Sequence, residues 1–341
     1  MSILNFPSWP YYDSRTIQKV SEVLRSGQVN SWTGPHTSSF EHSFSKYLGN
    51  NYSIAVANGS LALSAAYLSI GIGPGDEVIT TPRTFIATSA ALVLLGAKPV
   101  FADVDADSGN ITSSTIEPLI NSKTKAISVV HLAGWPADMH SLVDLARTHQ
   151  LFLIEDCAQA HGAFIDGRPV GSFGDVSAWS FCQDKIISTA GEGGLISTSN
   201  HELWDLMWSF KDHGKTYATV HHKDHPVGFR WLHDRFGSNF RLTELQSAVG
   251  SIQLSYLEDW TRIRTRNVQT FHKYLSTCSA IRFPLPPSNL VHAWYKLYVY
   301  LVPAALKSDW SRDRIIREVN DRGYPAFSGT CSEIYLEKCF Q

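Results

Sequence analysis

No uncharged apolar run in the sequence is long enough to span a bilayer, so no membrane-embedded class is expected. The N-terminus, MSILNFPSWPYYDSR, lacks the apolar core of a secretory signal. There is no C-x-x-C, and the five cysteines (Cys157, Cys182, Cys278, Cys331 and Cys339) are an odd number. A reduced, cytoplasmic chain is expected rather than a disulfide framework, with Cys157 and Cys182 as small packing residues. The fourteen histidines include no HExxH, and His221, His222 and His225 read as a solvated loop. No metal site is expected. No GxGxxG follows the first expected strand, which argues against a Rossmann oxidoreductase. Charge of one sign is also lacking: 29 Lys and Arg face 31 Asp and Glu, a formal net of −2, so neither nucleic acid nor an acidic membrane surface is expected as a partner. Internal repeats and low-complexity segments are absent.

What is present is enough apolar material for a substantial core, 43% of 341 residues. Short apolar runs alternate with helical periodicity, the pattern of a parallel sheet covered on both faces. Strands are expected at 52–56, 77–80, 98–103, 126–131, 151–154, 176–181 and 195–197, and a late aromatic strand at 293–302. Helices are expected at 14–26, 38–47, 61–70, 86–95, 116–120, 141–149, 203–211, 243–254, 257–275 and 309–322. Asn5 to Tyr12 reads as an extended arm. Residues 213–231 read as a long polar loop, a lid or subunit contact. Arg262, Arg264 and Arg266 read as a solvated or subunit-facing surface, and Asp103 and Asp105 as solvated turn acids. The boundary expected is a large domain over 1–250 and a smaller one over 251–341.

The chain is organised around Leu151 to Gly194. The run 151–154 is closed by Glu155-Asp156, so a carboxylate sits where a strand exits, the edge at which open α/β sheets bind ligands. The run 176–181 is followed by Lys185 and then by the turn signal Gly191-Glu192-Gly193-Gly194. An acid and an amine thus leave two strand ends that face one crevice. A lysine amine condenses with carbonyl cofactors. The one that gains most from a buried acid is pyridoxal phosphate, whose ring draws electrons only when its nitrogen is protonated.

EDCAQAHGA (155–163), GSFGDVSAWSF (171–181), Lys185 and GEGG (191–194) together resemble the DegT/DnrJ/EryC1/StrS family of sugar aminotransferases. The resemblance covers nearly the whole chain. It implies an α/β fold of the aspartate-aminotransferase type (fold type I), a mostly parallel sheet between helices with a smaller C-terminal α+β domain. Relatives continue past the point matching 335–341, so that domain is expected to be incomplete at its end. The resemblance further implies pyridoxal 5'-phosphate on Lys185, with Asp156 on the ring nitrogen. Gln159 is implied beside the ring, and Phe85 stacked on it. Gly59, Ser60 and Ser180 are implied at the phosphate. The segment Gly237-Ser238-Asn239-Phe240-Arg241 resembles the family's G-x-N-x-R motif, which implies that Asn239 reaches the phosphate of a neighbouring subunit in a homodimer. By their residues alone, Phe85 would be core, Asn239 a turn residue, and Asn58-Gly59-Ser60 a helix cap.

The activity implied is transfer of an amino group, glutamate being the donor in most relatives, to a nucleotide-linked keto-deoxysugar, for polysaccharide, O-antigen or secondary-metabolite synthesis. Alternatives are a cyclitol aminotransferase, a sugar dehydratase or an inactive regulatory homologue. Lysine at 185 argues against the dehydratase, whose chemistry in relatives uses histidine there.

Overall fold

The computed structural model describes residue 6, residues 8–222, residue 224, residues 227–329 and residues 333–341. Asn5, His225 and Cys331, named above, lie outside the described residues. The strands run β1 (Tyr52–Val56), β2 (Glu77–Thr80), β3 (Lys98–Phe101), β4 (Thr124–Val130), β5 (Phe152–Asp156), the short β6 (Phe164–Ile165) and β7 (Arg168–Pro169), then β8 (Val176–Ser180) and β9 (Gly194–Thr198). Seven of them form one sheet in the order β1-β9-β8-β5-β4-β2-β3. The pairings from β3 through to β8 are parallel. The pairs β8–β9 and β9–β1 are antiparallel. The sheet is therefore mostly parallel, and β8 and β9 are buried along their whole length, as a doubly covered sheet requires.

Helices cover both faces: α1 (Ser14–Ser26), α2 (His36–Leu48), α3 (Gly59–Ser69), α4 (Ala87–Leu94), α5 (Ser113–Ile116), α6 (Met139–Thr148), α7 (His201–Lys211), α8 (Tyr217–His221), α9 (Glu244–Ser255), α10 (Leu257–Leu275) and α11 (Arg312–Asp321). Two apolar clusters result. One joins Phe40 and Phe44 of α2 to Leu153, Trp179 and Phe181. The other joins Tyr67 of α3 and Leu92 of α4 to Ile54, Ile154 and Ile196. The short strands β10 (Ile281–Arg282), β11 (Leu290–Val291) and β12 (Tyr300–Leu301) follow α10. β10 pairs with β12, while β11 returns to β6. A 3-10 turn at Ile334–Leu336 docks back too: the Ile334 amide donates to the Pro82 carbonyl at 3.0 Å.

Several expectations need correction. The strand at 293–302 shrinks to Tyr300–Leu301. Trp294 has φ +52, in the left-handed region that ends an extended run, so the aromatic alternation does not line one sheet face. The helix expected at 116–120 is one α-helical turn, α5, continued as a 3-10 turn through Leu119. The loop at 213–231 contains α8. On α1, the apolar residues Ile17, Val20, Val23 and Leu24 fall at helical spacing, but Ile17 and Leu24 are exposed and Val23 alone is buried. On α3, Leu61 and Leu68 are half-buried, and Ala62, Leu63, Ala65, Ala66 and Tyr67 form the inward face. Arg264 is not a surface charge. It is half-buried, donates to the Trp294 carbonyl at 3.1 Å and lies over the Trp9 ring.

Candidate active site

Strand register assembles the site. Val130 pairs with Asp156, Asp156 with Ala178, Ser180 with Gly194, and Gly194 with Val56. The ends of β4, β5 and β8, the start of β9 and the end of β1 therefore share one edge. Because β4, β5 and β8 are parallel, that edge is their carboxyl end, where α/β sheets place ligands.

Lys185 follows β8 and its side chain is 14% exposed. Its amine donates to the Tyr295 hydroxyl at 3.2 Å, lies 3.5 Å from an Asp184 carboxylate oxygen, and sits 4.7 Å from the centre of the Tyr295 ring. The Tyr295 hydroxyl donates to the same Asp184 oxygen. Burial works against the Asp184 charge, but the Tyr295 hydroxyl and the Lys185 amine outweigh it and hold the carboxyl below its usual range. Burial, with the adjacent carboxylate, pushes the Tyr295 phenol above its ordinary value, so it stays protonated. The N-terminal arm fixes the backbone behind: the Trp9 indole donates to the Lys185 carbonyl at 2.9 Å, and the Tyr12 hydroxyl to Ser188 at 3.2 Å.

Asp156 is buried at the end of β5. One carboxylate oxygen accepts from the Thr88 hydroxyl at 2.8 Å, the other from the Ala158 amide at 3.1 Å. Thr88 in turn pairs with Thr84 at 3.0 Å. Burial raises the Asp156 pKa despite these hydrogen bonds and the nearby Lys185 charge. A charge held at that cost is matched by a cation placed against it. Gln159, also buried, accepts the Ala133 amide at 2.7 Å. Ala133 then accepts the Tyr295 amide at 2.9 Å, so Gln159 and Tyr295 are held by one loop.

Gly59 and Ser60 open α3. Asn58 caps the helix, its side chain accepting the Leu61 amide at 2.9 Å. The Gly59 and Ser60 amides precede the first intrahelical hydrogen bond and have no acceptor within the helix. A Cβ on Gly59 would lie 2.6 Å from the Ser180 Cβ, so only glycine lets the helix end reach β8. Ser180 accepts the Cys182 amide at 3.4 Å. Phe85, just before α4, is 66% exposed and so is not a core residue of this chain. Asn239 is exposed; its carbonyl oxygen accepts the Arg241 amide at 3.2 Å, and Arg241 pairs with buried Asp212 at 2.9 Å.

Reading the sequence missed Asp184, Tyr295 and Thr88. Asp184 adjoins the lysine and Thr88 lies at helical spacing from Thr84, but nothing local in the sequence brings Tyr295 to this edge.

Among the described residues, one buried cluster has metal-ligand chemistry: His131, Glu155 and Cys157. The His131 and Glu155 atoms are already committed. His131 Nδ1 accepts the Ala137 amide at 3.0 Å, which leaves Nε2 to donate to Glu155 at 3.1 Å. Glu155 also accepts three amides, from Gly171, Phe173 and Gly174. Burial opposes its charge, yet His131 first, and then the Gly174 and Gly171 amides, hold its pKa below the usual value.

A mostly parallel α/β sheet carrying a lysine and a buried acid at its carboxyl edge is the arrangement of an aminotransferase. The profile of the DegT/DnrJ/EryC1/StrS aminotransferase family matches residues 10–327, and the chain belongs to that family. Among its relatives, the chain is 38% identical over 264 residues to the GDP-perosamine synthase of Escherichia coli O157:H7, covering 77% of this chain and 69% of that one. It is 38% identical over 290 residues to the dTDP-3-amino-3,6-dideoxy-alpha-D-galactopyranose transaminase of Aneurinibacillus thermoaerophilus, covering 84% and 75%. An X-ray structure of the aminotransferase from Psychrobacter cryohalolentis superposes with a TM-score of 0.97 at 50% identity, over 99% of this chain and 87% of that one. Among the described residues, no helix is long and apolar enough to cross a membrane.

Proposed function

We propose that this aminotransferase carries an amino group from an amino acid, glutamate first among candidates, to the keto carbon of a nucleotide-linked deoxyhexose, with pyridoxal 5'-phosphate as carrier. The relatives' names support the acceptor class, since a GDP-sugar enzyme and a dTDP-sugar enzyme match at equal identity. They leave the base and the aminated carbon open. The observation that carries the reading is the shared edge of Lys185, Asp156 and the α3 N-terminus.

The residues suit that carrier. Asp156 is a buried carboxylate whose charge is costly until a protonated ring nitrogen faces it. The α3 N-terminus, with Gly59 pressed on Ser180, is a cradle that a side chain would fill, as an anion site requires. When bound, pyridoxal phosphate supplies a carbonyl that takes up amino groups and a ring that withdraws electrons from the carbon losing its proton. Lys185 anchors it covalently, then serves as the base and acid that moves the proton at the donor's α-carbon. Asp156 keeps the ring nitrogen protonated and so favours the electron-rich transition state. The Gly59 and Ser60 amides and the Ser180 hydroxyl hold the phosphate. Phe85, exposed and free to stack, would hold a ring face, and Gln159 would hold the ring beside it. Asn239 serves the phosphate of a second copy in a homodimer, and the cell compartment is the cytoplasm. The smaller C-terminal part begins at residue 251. Lysine at 185 favours transamination over sugar dehydration.

A panel of nucleotide-linked ketosugars incubated with glutamate and read by mass spectrometry tests this. An aminosugar should form with an equal amount of 2-oxoglutarate from at least one member. Turnover of a cyclitol ketone alone would move the acceptor to the alternative class.

A further inference from the structure

Tyr295 lies on an irregular segment, yet it is among the better fixed side chains at this edge. Its amide is tied to Ala133, and the preceding Trp294 is stacked on His292 with ring centres 3.8 Å apart and planes 5° from parallel. The Trp294 amide donates to His292 Nδ1 at 2.8 Å, and Arg264 holds the Trp294 carbonyl at 3.1 Å. The Tyr295 hydroxyl gives its only hydrogen to Asp184, so the oxygen lone pairs are left to face the Lys185 amine. Lys185 ends a flexible four-carbon stem, and ordering such a stem costs side-chain entropy. An amine that must return to the same place in each catalytic cycle gains from a fixed acceptor.

We propose that Tyr295, itself held by Asp184, is a positioning residue that tethers the Lys185 amine inside the cleft whenever that amine is not bonded to the cofactor. The tether deepens the reading above and rests on Lys185 as the cofactor-bearing lysine. Asp184 sets the direction of the phenol hydrogen, and the phenol presents an acceptor to the amine. The Tyr295 ring, whose centre lies 4.7 Å from the amine, adds a cation–π attraction.

The experiment uses cofactor-free protein and reductive methylation with formaldehyde and cyanoborohydride, following the Lys185 peptide by mass spectrometry. Tyr295→Phe should speed methylation of Lys185 by about 10-fold, the worth of one hydrogen bond to a charged group, with other lysines unchanged. Asp184→Ala, which also removes the carboxylate 3.5 Å from the amine, should speed it at least as much, and the double variant should match Asp184→Ala. Asp184→Asn keeps an acceptor for the phenol but loses the charge beside the amine, and should fall between wild type and Asp184→Ala. In cofactor-loaded protein, Tyr295→Phe should lower kcat by about 10- to 100-fold and leave KM for the amino donor within about 3-fold. Wild-type labelling of Lys185 in Tyr295→Phe overturns the tether, as do multiplying effects of the two single variants or an unchanged kcat. Cofactor fixed by borohydride to another lysine would overturn Lys185 as its anchor without altering the labelling result.

Discussion

Asp156 is the residue at which stability and activity pull apart most clearly. Its pKa is raised on folding, so the folded protein holds the proton more tightly than the unfolded chain. Its contribution to stability is therefore present at low pH and lost as pH rises from the unfolded carboxylate value through the folded one. In cofactor-free protein at pH 7, Asp156→Asn should be at least as stable as wild type by thermal unfolding, because an amide can still bond Thr88 and Ala158 without a buried charge. The same variant, loaded with cofactor, should lose kcat by about 100-fold or more. A destabilised variant with normal turnover would contradict both halves. Lys185 and Asp156 were legible in the sequence because each sits in a long ordered motif beside a strand end. Tyr295 was not. The run Trp294-Tyr295-Lys296-Leu297-Tyr298-Val299-Tyr300 alternates like a strand, and what breaks it is a positive φ at an aromatic residue, held by neighbouring His292 and by Ala133 and Arg264 from elsewhere in the chain.

The helices that frame the edge are set by their ends, and the most consequential end is capped from a distance. Fully buried Glu244, the first residue of α9, accepts the His36 amide at 2.6 Å, the Thr37 amide at 2.8 Å and the Thr37 hydroxyl at 2.5 Å. It thereby serves as the N-cap of α2, whose own N-cap position, Pro35, offers no side chain. Glu244→Ala would leave buried donors without an acceptor and should cost about 2–4 kcal/mol in urea denaturation. Thr243→Ala, which removes the α9 capping box formed with Gln246, should cost about 1 kcal/mol. Equal costs would show that Glu244 acts only within its own helix. Thr243 opens the helix expected over 243–254, and a threonine followed by Gln246 is a local capping signal. Nothing local pointed to Glu244, whose partners are some two hundred positions away. The boundaries of α1, β1, β2 and α10 were legible because apolar period and end residues agree there. The inward face of α3 was not, since nearly every residue of that helix is small or apolar and no polar side marks the outside.

At the scale of the whole molecule, α1 shows Ile17 and Leu24 to solvent, and Phe229, Trp231 and Phe236 stand exposed after α8. Such apolar surface fits the proposed second copy. Mixing inactive Lys185→Ala with inactive Asn239→Ala should restore part of the activity in hybrid dimers, and verified heterodimers without recovery would refute shared sites. The sheet class was legible because short, largely apolar runs alternate with helical periodicity. Its order was not, since the antiparallel insertion of β9 between β8 and β1 depends on pairing over more than a hundred residues. That insertion brings Gly194 and Val56 to the edge that Asp156 and Lys185 share. Whether that edge holds a carbonyl cofactor on Lys185 is what every role above depends on. Purified protein should absorb in the visible after addition of pyridoxal phosphate, borohydride should bleach it, and peptide mapping should find the fixed cofactor on Lys185. A fixed cofactor on any other lysine, or none, contradicts the account.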